Sequence, residues 1–151
     1  MEAAEETKIE PRYATPGAHA WQLMYETFRA SKPYLEVVAS AFNLTVQQMF
    51  ALKQLGNDRP LAMSELALSL GCDASNVTSL VDKLESRGLV ERRSADRDRR
   101  VKALFMTPAG LALQDSIEER MQQPPPAIGN LSFEDQRLLC QILERALESL
   151  G

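Results

Sequence analysis

Side chains able to do covalent or acid–base chemistry are scarce in this sequence. Its 151 residues include one histidine, His19, and two cysteines, Cys72 and Cys140. No Gly-rich phosphate loop, metal-ligand spacing, paired carboxylate or Ser/His/Asp set accompanies them, so no catalytic residue, cofactor or resident metal is expected and an enzyme is the disfavoured class. The chemistry that does concentrate is that of anion recognition. Residues 87–102 hold Arg87, Arg92, Arg93, Arg97, Arg99, Arg100 and Lys102 against Glu91, Asp96 and Asp98, a local charge of +4 in a chain of net charge −4. Residues 108–151 run the other way, with three basic and seven acidic side chains. Such a concentrated basic stretch reads as one anion-facing edge; a solvated salt-bridge face is the plainer alternative.

Just upstream, Val77, Leu80, Val81 and Leu84 recur at helical spacing, which puts Ser75, Ser79, Asp82 and Ser86 on the opposite face. Asn76 and Lys83 flank that face on one side and Thr78 on the other. Small polar side chains let a helix enter a major groove and hydrogen-bond base edges; an ordinary solvated face is again the alternative. Bare acids would repel DNA, so Asp82 and Glu85 are expected to point away from phosphates or to pair with Lys or Arg.

The elements that must hold these residues follow in chain order. Residues 1–14 are polar and read as a flexible arm. Thr15-Pro16 starts a helix carrying Trp21, Met24, Tyr25 and Phe28, with a kink or break expected near Lys32 because Pro33 lacks an N–H. Thr45-x-x-Gln48 reads as a capping box for a helix ending at Gly56. Asn57 to Pro60 reads as a turn, Ser64 opens a short helix stopped by Gly71, and Asp73 caps the next, which ends at Gly88. The period then changes. Leu89–Arg93 and Val101–Met106 read as strands joined by the polar loop 94–100. Thr107-Pro108 starts another helix, broken by Pro124–Pro126, which predict an extended spacer. Ser132-x-x-Asp135 opens the last, with a broad apolar face from Leu138 to Leu150.

Composition bounds the rest. At 44% hydrophobic and 25% charged residues the chain is of globular type. No apolar run reaches the roughly 18 residues of a membrane helix, and the acidic N-terminus lacks the apolar core of a secretory leader. Two cysteines fit a reducing compartment, so a cytoplasmic location without membrane partners is expected.

A short helix, a tight Gly turn, a second helix and a basic hairpin form a helix-turn-helix followed by a wing. The residues Thr78-x-x-Val81-Asp82-x-Leu84-Glu85-x-Arg87-Gly88-Leu89-Val90 resemble the recognition-helix pattern of the MarR family of bacterial transcription regulators. Asp98-Arg99-Arg100 with Met106-Thr107-Pro108-Ala109-Gly110 resembles that family's wing signature, Met106 standing where leucine is usual. The fold class expected is mostly α with a small β-wing: a winged helix-turn-helix core flanked by N- and C-terminal dimerisation helices. In domains this gives 1–14 as the arm, 15–44 as the N-terminal dimerisation helix, 45–107 as the winged DNA-binding region and 108–151 as C-terminal dimerisation helices. The function it implies is a sequence-specific, ligand-responsive repressor binding a palindromic operator in double-stranded DNA as a homodimer.

DNA contacts are expected from Ser75, Asn76, Thr78, Ser79 and Lys83 on the recognition helix and from Arg97, Asp98, Arg99 and Arg100 in the wing. Relatives that bind small aromatic or phenolic acids do so between the dimerisation helices and the winged module; here His19, Trp21, Tyr25, Phe28 and Met49 are the corresponding candidates, with plain core packing as the alternative. A cysteine sensor near the first helix has no counterpart, since no cysteine precedes Cys72. Cys72, close to a helix N-terminus, is the candidate for a thiol-based alternative, and Cys140 reads as interface packing. A winged helix serving only protein–protein contacts is the remaining alternative. In the wing, Arg100 is expected to approach the minor groove, whose narrow form favours inserted arginine, with Arg97 and Arg99 near phosphates. Arg100→Ala should therefore lose more duplex affinity than Arg97→Ala in a gel-shift titration; equal losses across different flanking sequences would reduce the wing to a counter-charge.

Overall fold

The structure, a computed structural model, describes residues 13–56, 60–95 and 98–150, with backbone alone at Ala95 and residues 98–102. The elements are α1 (Pro16–Ala30), α2 (Lys32–Ala41), α3 (Val46–Gln54), β1 (Leu61–Ala62), α4 (Met63–Leu70), α5 (Ala74–Ser86), β2 (Val90–Ala95), β3 (Asp98–Met106), α6 (Pro108–Met121), α7 (Pro126–Gly129) and α8 (Phe133–Glu148). This is the expected mostly helical architecture with a small β-wing. Among the described residues, no helix is long and apolar enough to cross a membrane.

Side-chain caps set most of the helix starts. Thr15, Thr45, Asp73, Thr107 and Ser132 each accept a hydrogen bond from the backbone N–H three residues on, satisfying one of the orphan donors of a first turn. At Thr45 the box is reciprocal, the Gln48 amide oxygen accepting from the Thr45 N–H at 2.9 Å. The α1–α2 break falls at Ser31, and Pro33 sits in the first turn of α2, where a missing N–H is tolerated. Helix α4 begins at Met63 rather than Ser64. Ala62 is its cap residue, and Glu65 accepts from the Ala62 N–H at 2.9 Å.

The chain divides into two compact units, Tyr34–Gln123 and the described parts of Met1–Pro33 with Pro124–Gly151. In Tyr34–Gln123 one core runs through every helix. Leu35 and Val38 of α2, Met49 and Leu52 of α3, and Leu66 of α4 pack with Val77, Leu80, Val81 and Leu84 of α5 and with Ile117 of α6. The apolar positions read on α5 are thus its buried face. Gln114 on α6 is also buried, and its Nε2 donates to the Leu52 carbonyl at 3.1 Å, closing an open acceptor near the end of α3.

The sheet is antiparallel in the order β1–β3–β2, with Leu61 opposite Leu104 and Val90 opposite Met106. Two corrections to the sequence reading lie here. β1 was not foreseen, because two residues are too few to show alternation. The strands are also longer than expected: most of the presumed loop 94–100 is ladder, so Asp98, Arg99 and Arg100 belong to β3. Backbone hydrogen bonds extend a two-stranded ribbon whatever the polarity of its side chains. Beyond Ser94 the register shifts, Ala95 pairing with Asp98.

In the other unit, α1 and α8 have no buried residue. The three prolines do not stay extended. Pro125 is extended, but Pro126 opens the single turn of α7, with Gly129 N–H donating to the Pro125 carbonyl at 2.8 Å. Proline's fixed φ suits the first helical position.

The base of the wing is joined to α6 by a compact set of contacts. Thr107 Oγ1 donates to the Gly88 carbonyl at 2.6 Å and accepts from the Gly110 N–H at 3.0 Å, while Thr107 N–H donates to the Leu89 carbonyl at 3.1 Å. Gly88 takes the left-handed φ of +67°. A Cβ on Gly110 would stand 2.0 Å from the Leu89 carbonyl oxygen, a backbone atom that cannot swing aside. Gly110→Ala should therefore lower unfolding free energy by about 3 kcal/mol, the upper end of overpacking costs. A urea denaturation midpoint within error of wild type would contradict this close approach.

Candidate nucleic-acid interface

The site begins at Asp73. Its carboxylate accepts from the Asn76 N–H at 2.8 Å, from Ser75 Oγ at 2.8 Å and from Asn76 Nδ2 at 3.0 Å. The Asn76 backbone donor, then the Ser75 hydroxyl, hold the Asp73 carboxyl below its ordinary pKa, so the cap is anionic at neutral pH. Ser75 and Asn76, both expected as base readers, are thereby ordered as one cluster at the start of α5. Thr78 turns inward along the helix, its Oγ1 donating to the Ala74 carbonyl at 2.8 Å.

Asn76, Ser79 and Lys83 line one open groove of about 210 Å³ together with Leu80 and with Thr45, Gln47 and Gln48 from the start of α3. Three of the five recognition-helix residues singled out from the sequence thus share one polar concavity. Thr45 and Gln47 were not read as site residues. Thr45 shows in the sequence only as half of the capping box with Gln48, and Gln47 carries no local signal.

The wing meets α5 through Arg92 of β2. Its guanidinium pairs with Asp82 Oδ1 at 2.6 Å and with Glu85 Oε2 at 2.6 Å, while the Arg92 N–H donates to Glu85 Oε1 at 3.0 Å. The two acids of the helix are therefore paired, as expected, and their partner is now identified. Arg93 pairs with Glu91 at 2.7 Å and lies 4.8 Å from the Phe105 ring centroid. Arg87 donates to the Asn43 carbonyl at 2.7 Å and the Phe42 carbonyl at 3.1 Å, capping the end of α2. Three of the seven basic residues in the stretch are thus engaged within the protein. Arg97 lies outside the described residues, and of Asp98, Arg99 and Arg100 only the backbone, in β3, is described.

The remaining candidates belong to both units. Met49 is fully buried in the core. Trp21, Tyr25 and Phe28 are exposed on α1, and His19 stacks on Tyr13 at 4.4 Å between centroids. Cys72 is half-buried beside the core, with Sγ 3.4 Å from the Leu70 carbonyl, and Cys140 is exposed. Among the described residues, no group of three or more His, Cys, Asp or Glu could hold a metal ion.

Residues 44–102, which carry this helix, groove and wing, match the model of the MarR family. The match spans about two fifths of the chain and takes in the helix-turn-helix and most of the wing. The chain is 28% identical over 117 residues to a putative transcriptional regulatory protein for the hcr operon of Thauera aromatica, covering 77% of this chain and 70% of that one. It is 35% identical over 72 residues to the transcriptional repressor MprA of Escherichia coli K12, covering 48% of this chain and 41% of MprA. In fold it is similar to wild-type apo MarR from E. coli, with TM-score 0.78 and 22% identity over 84% of this chain and 95% of that one. The family that this segment matches is one of transcriptional regulators rather than enzymes, and the chain is read with it as a DNA-binding transcriptional regulator.

Within its helix-turn-helix, Asn76 and Lys83 differ in chemistry. An amide can make a bidentate base contact worth about 1–3 kcal/mol of discrimination, whereas an ammonium meets phosphate as a point charge. Asn76→Ala should relax sequence preference and Lys83→Ala should weaken all duplexes alike. Competition assays with specific and random duplexes check this, and an equal loss on both for Asn76→Ala would refute the face assignment.

Proposed function

We propose that the chain is a repressor that binds a palindromic operator as a homodimer and is released by a small effector. The observation that carries the dimer is the state of α1 and α8. Trp21 is 71% and Phe28 62% exposed on α1, and Leu138, Ile142 and Leu147 are exposed on α8. Apolar surface of that extent is a liability in an isolated chain and a natural subunit contact in a symmetric pair. Repression is the activity named for the relative MprA.

Two recognition helices must meet half-sites repeating at roughly 34–36 Å on one face of B-DNA. In this reading Ser75, Asn76 and Ser79 meet base edges, Thr78 and Lys83 lie nearer the backbone, and Arg97, Arg99 and Arg100 of the wing meet the flanking groove and phosphates, with Asp98 orienting them. An effector acts by preferring a dimer whose spacing no longer fits, because equal affinity for both spacings shifts nothing. The aromatic side chains of α1 favour a small aromatic or phenolic molecule as that effector, through stacking.

Removing residues 127–151 takes away the whole apolar face of α8. The truncated chain should sediment as a monomer and bind the operator poorly at nanomolar concentration, with the winged module still folded by circular dichroism. A truncated dimer with full affinity would sink this assignment.

A further inference from the structure

Helix α5 carries one cation, Lys83, and two acids, Asp82 and Glu85, and it is capped by a third acid, Asp73. That is a poor charge pattern for an element that approaches phosphates. The acids are not hidden: Asp82 is 58% and Glu85 37% exposed, whereas the Arg92 side chain that pairs with both is only 16% exposed. Arg92 reaches them from the wing. One amino group of its guanidinium meets Glu85, and the other meets Asp82 and lies 3.3 Å from the Thr78 carbonyl. Its backbone N–H holds the second Glu85 oxygen. Because β2 is paired with β3 through Arg92 opposite Leu104, these contacts also tie the wing to the helix.

We propose that Arg92 is a positioning residue for DNA recognition: by pairing with Asp82 and Glu85 it cancels the charge that the recognition helix would otherwise present against phosphate. The inference rests on the DNA-binding reading of α5. A planar guanidinium with five donors can serve two carboxylates and a carbonyl at once, which a lysine ammonium at the end of a flexible stem cannot reproduce. Like charges juxtaposed across an interface are strongly unfavourable, and exposed ones are screened by salt.

The probe is a duplex selected from a random-sequence pool by the wild-type protein, whose binding to it is the control for the DNA-binding reading itself. Arg92→Ala should bind about tenfold more weakly at low salt, and the deficit should shrink as salt rises. Adding Asp82→Asn and Glu85→Gln to that variant should restore affinity to within about threefold, which a purely structural role for Arg92 would not allow. Arg92→Lys should fall between wild type and Arg92→Ala. Asp82→Asn with Glu85→Gln alone, leaving Arg92 unmatched, should bind all duplexes more tightly and with a steeper salt slope, and this double variant decides the matter even if Arg92→Ala fails to fold. An unchanged affinity in Arg92→Ala, a deficit the neutralised variant does not relieve, or a double variant with wild-type affinity and slope would each overturn the proposal.

Discussion

One threonine hydroxyl holds the winged module together at the point where three elements meet. Thr107 Oγ1 donates to the carbonyl of Gly88, where α5 has ended, and accepts from the N–H of Gly110 in the first turn of α6. The Thr107 N–H adds a bond to Leu89, where the wing begins. The end of the recognition helix, the root of the hairpin and the start of the next helix are thus fixed by one side chain and two glycines. Every longer-range feature of the module, including the pairing of Arg92 with α5, presupposes that α5 and β2 leave this point in the right directions.

Charge has to be counted in space rather than along the chain. The basic stretch looked like a single anion-facing edge, yet Arg87 is spent on carbonyls at the end of α2, Arg92 on two acids of α5, and Arg93 on Glu91. What the sequence presents as surplus is partly internal bonding. In the repressor reading proposed above, meeting nucleic acid falls to Arg97, Arg99 and Arg100, which follow these three along the chain.

The helical frame was legible because its signals are local. Thr15, Thr45, Asp73, Thr107 and Ser132 announce helix starts within four residues, and the buried face of α5 follows from its 3.6-residue period. The features that escaped are those fixed by partners distant in sequence. β1 exists only because Leu61 and Ala62 meet Leu104 and Ala103 across the sheet. The engagement of Arg87 depends on carbonyls more than forty residues away. The pairing of Asp82 and Glu85 was foreseen in kind, since an unpaired acid is unfavourable there, but the choice of Arg92 among several arginines needed the strand's orientation. The groove escaped for the same reason, since α3 and α5 come together only in the fold.

The Asp73 cap divides the recognition helix into positions that can diversify and positions that cannot do so alone. Ser75 and Asn76 share one carboxylate with the helix's own first turn, so replacing either disturbs the cap that orders its neighbour. Ser79 and Lys83 line the same groove one and two turns further on, beyond the reach of that cap. In the proposed reading a new base preference can therefore arise at Ser79 by a single substitution, whereas a change at the helix start has to be coordinated with the cap.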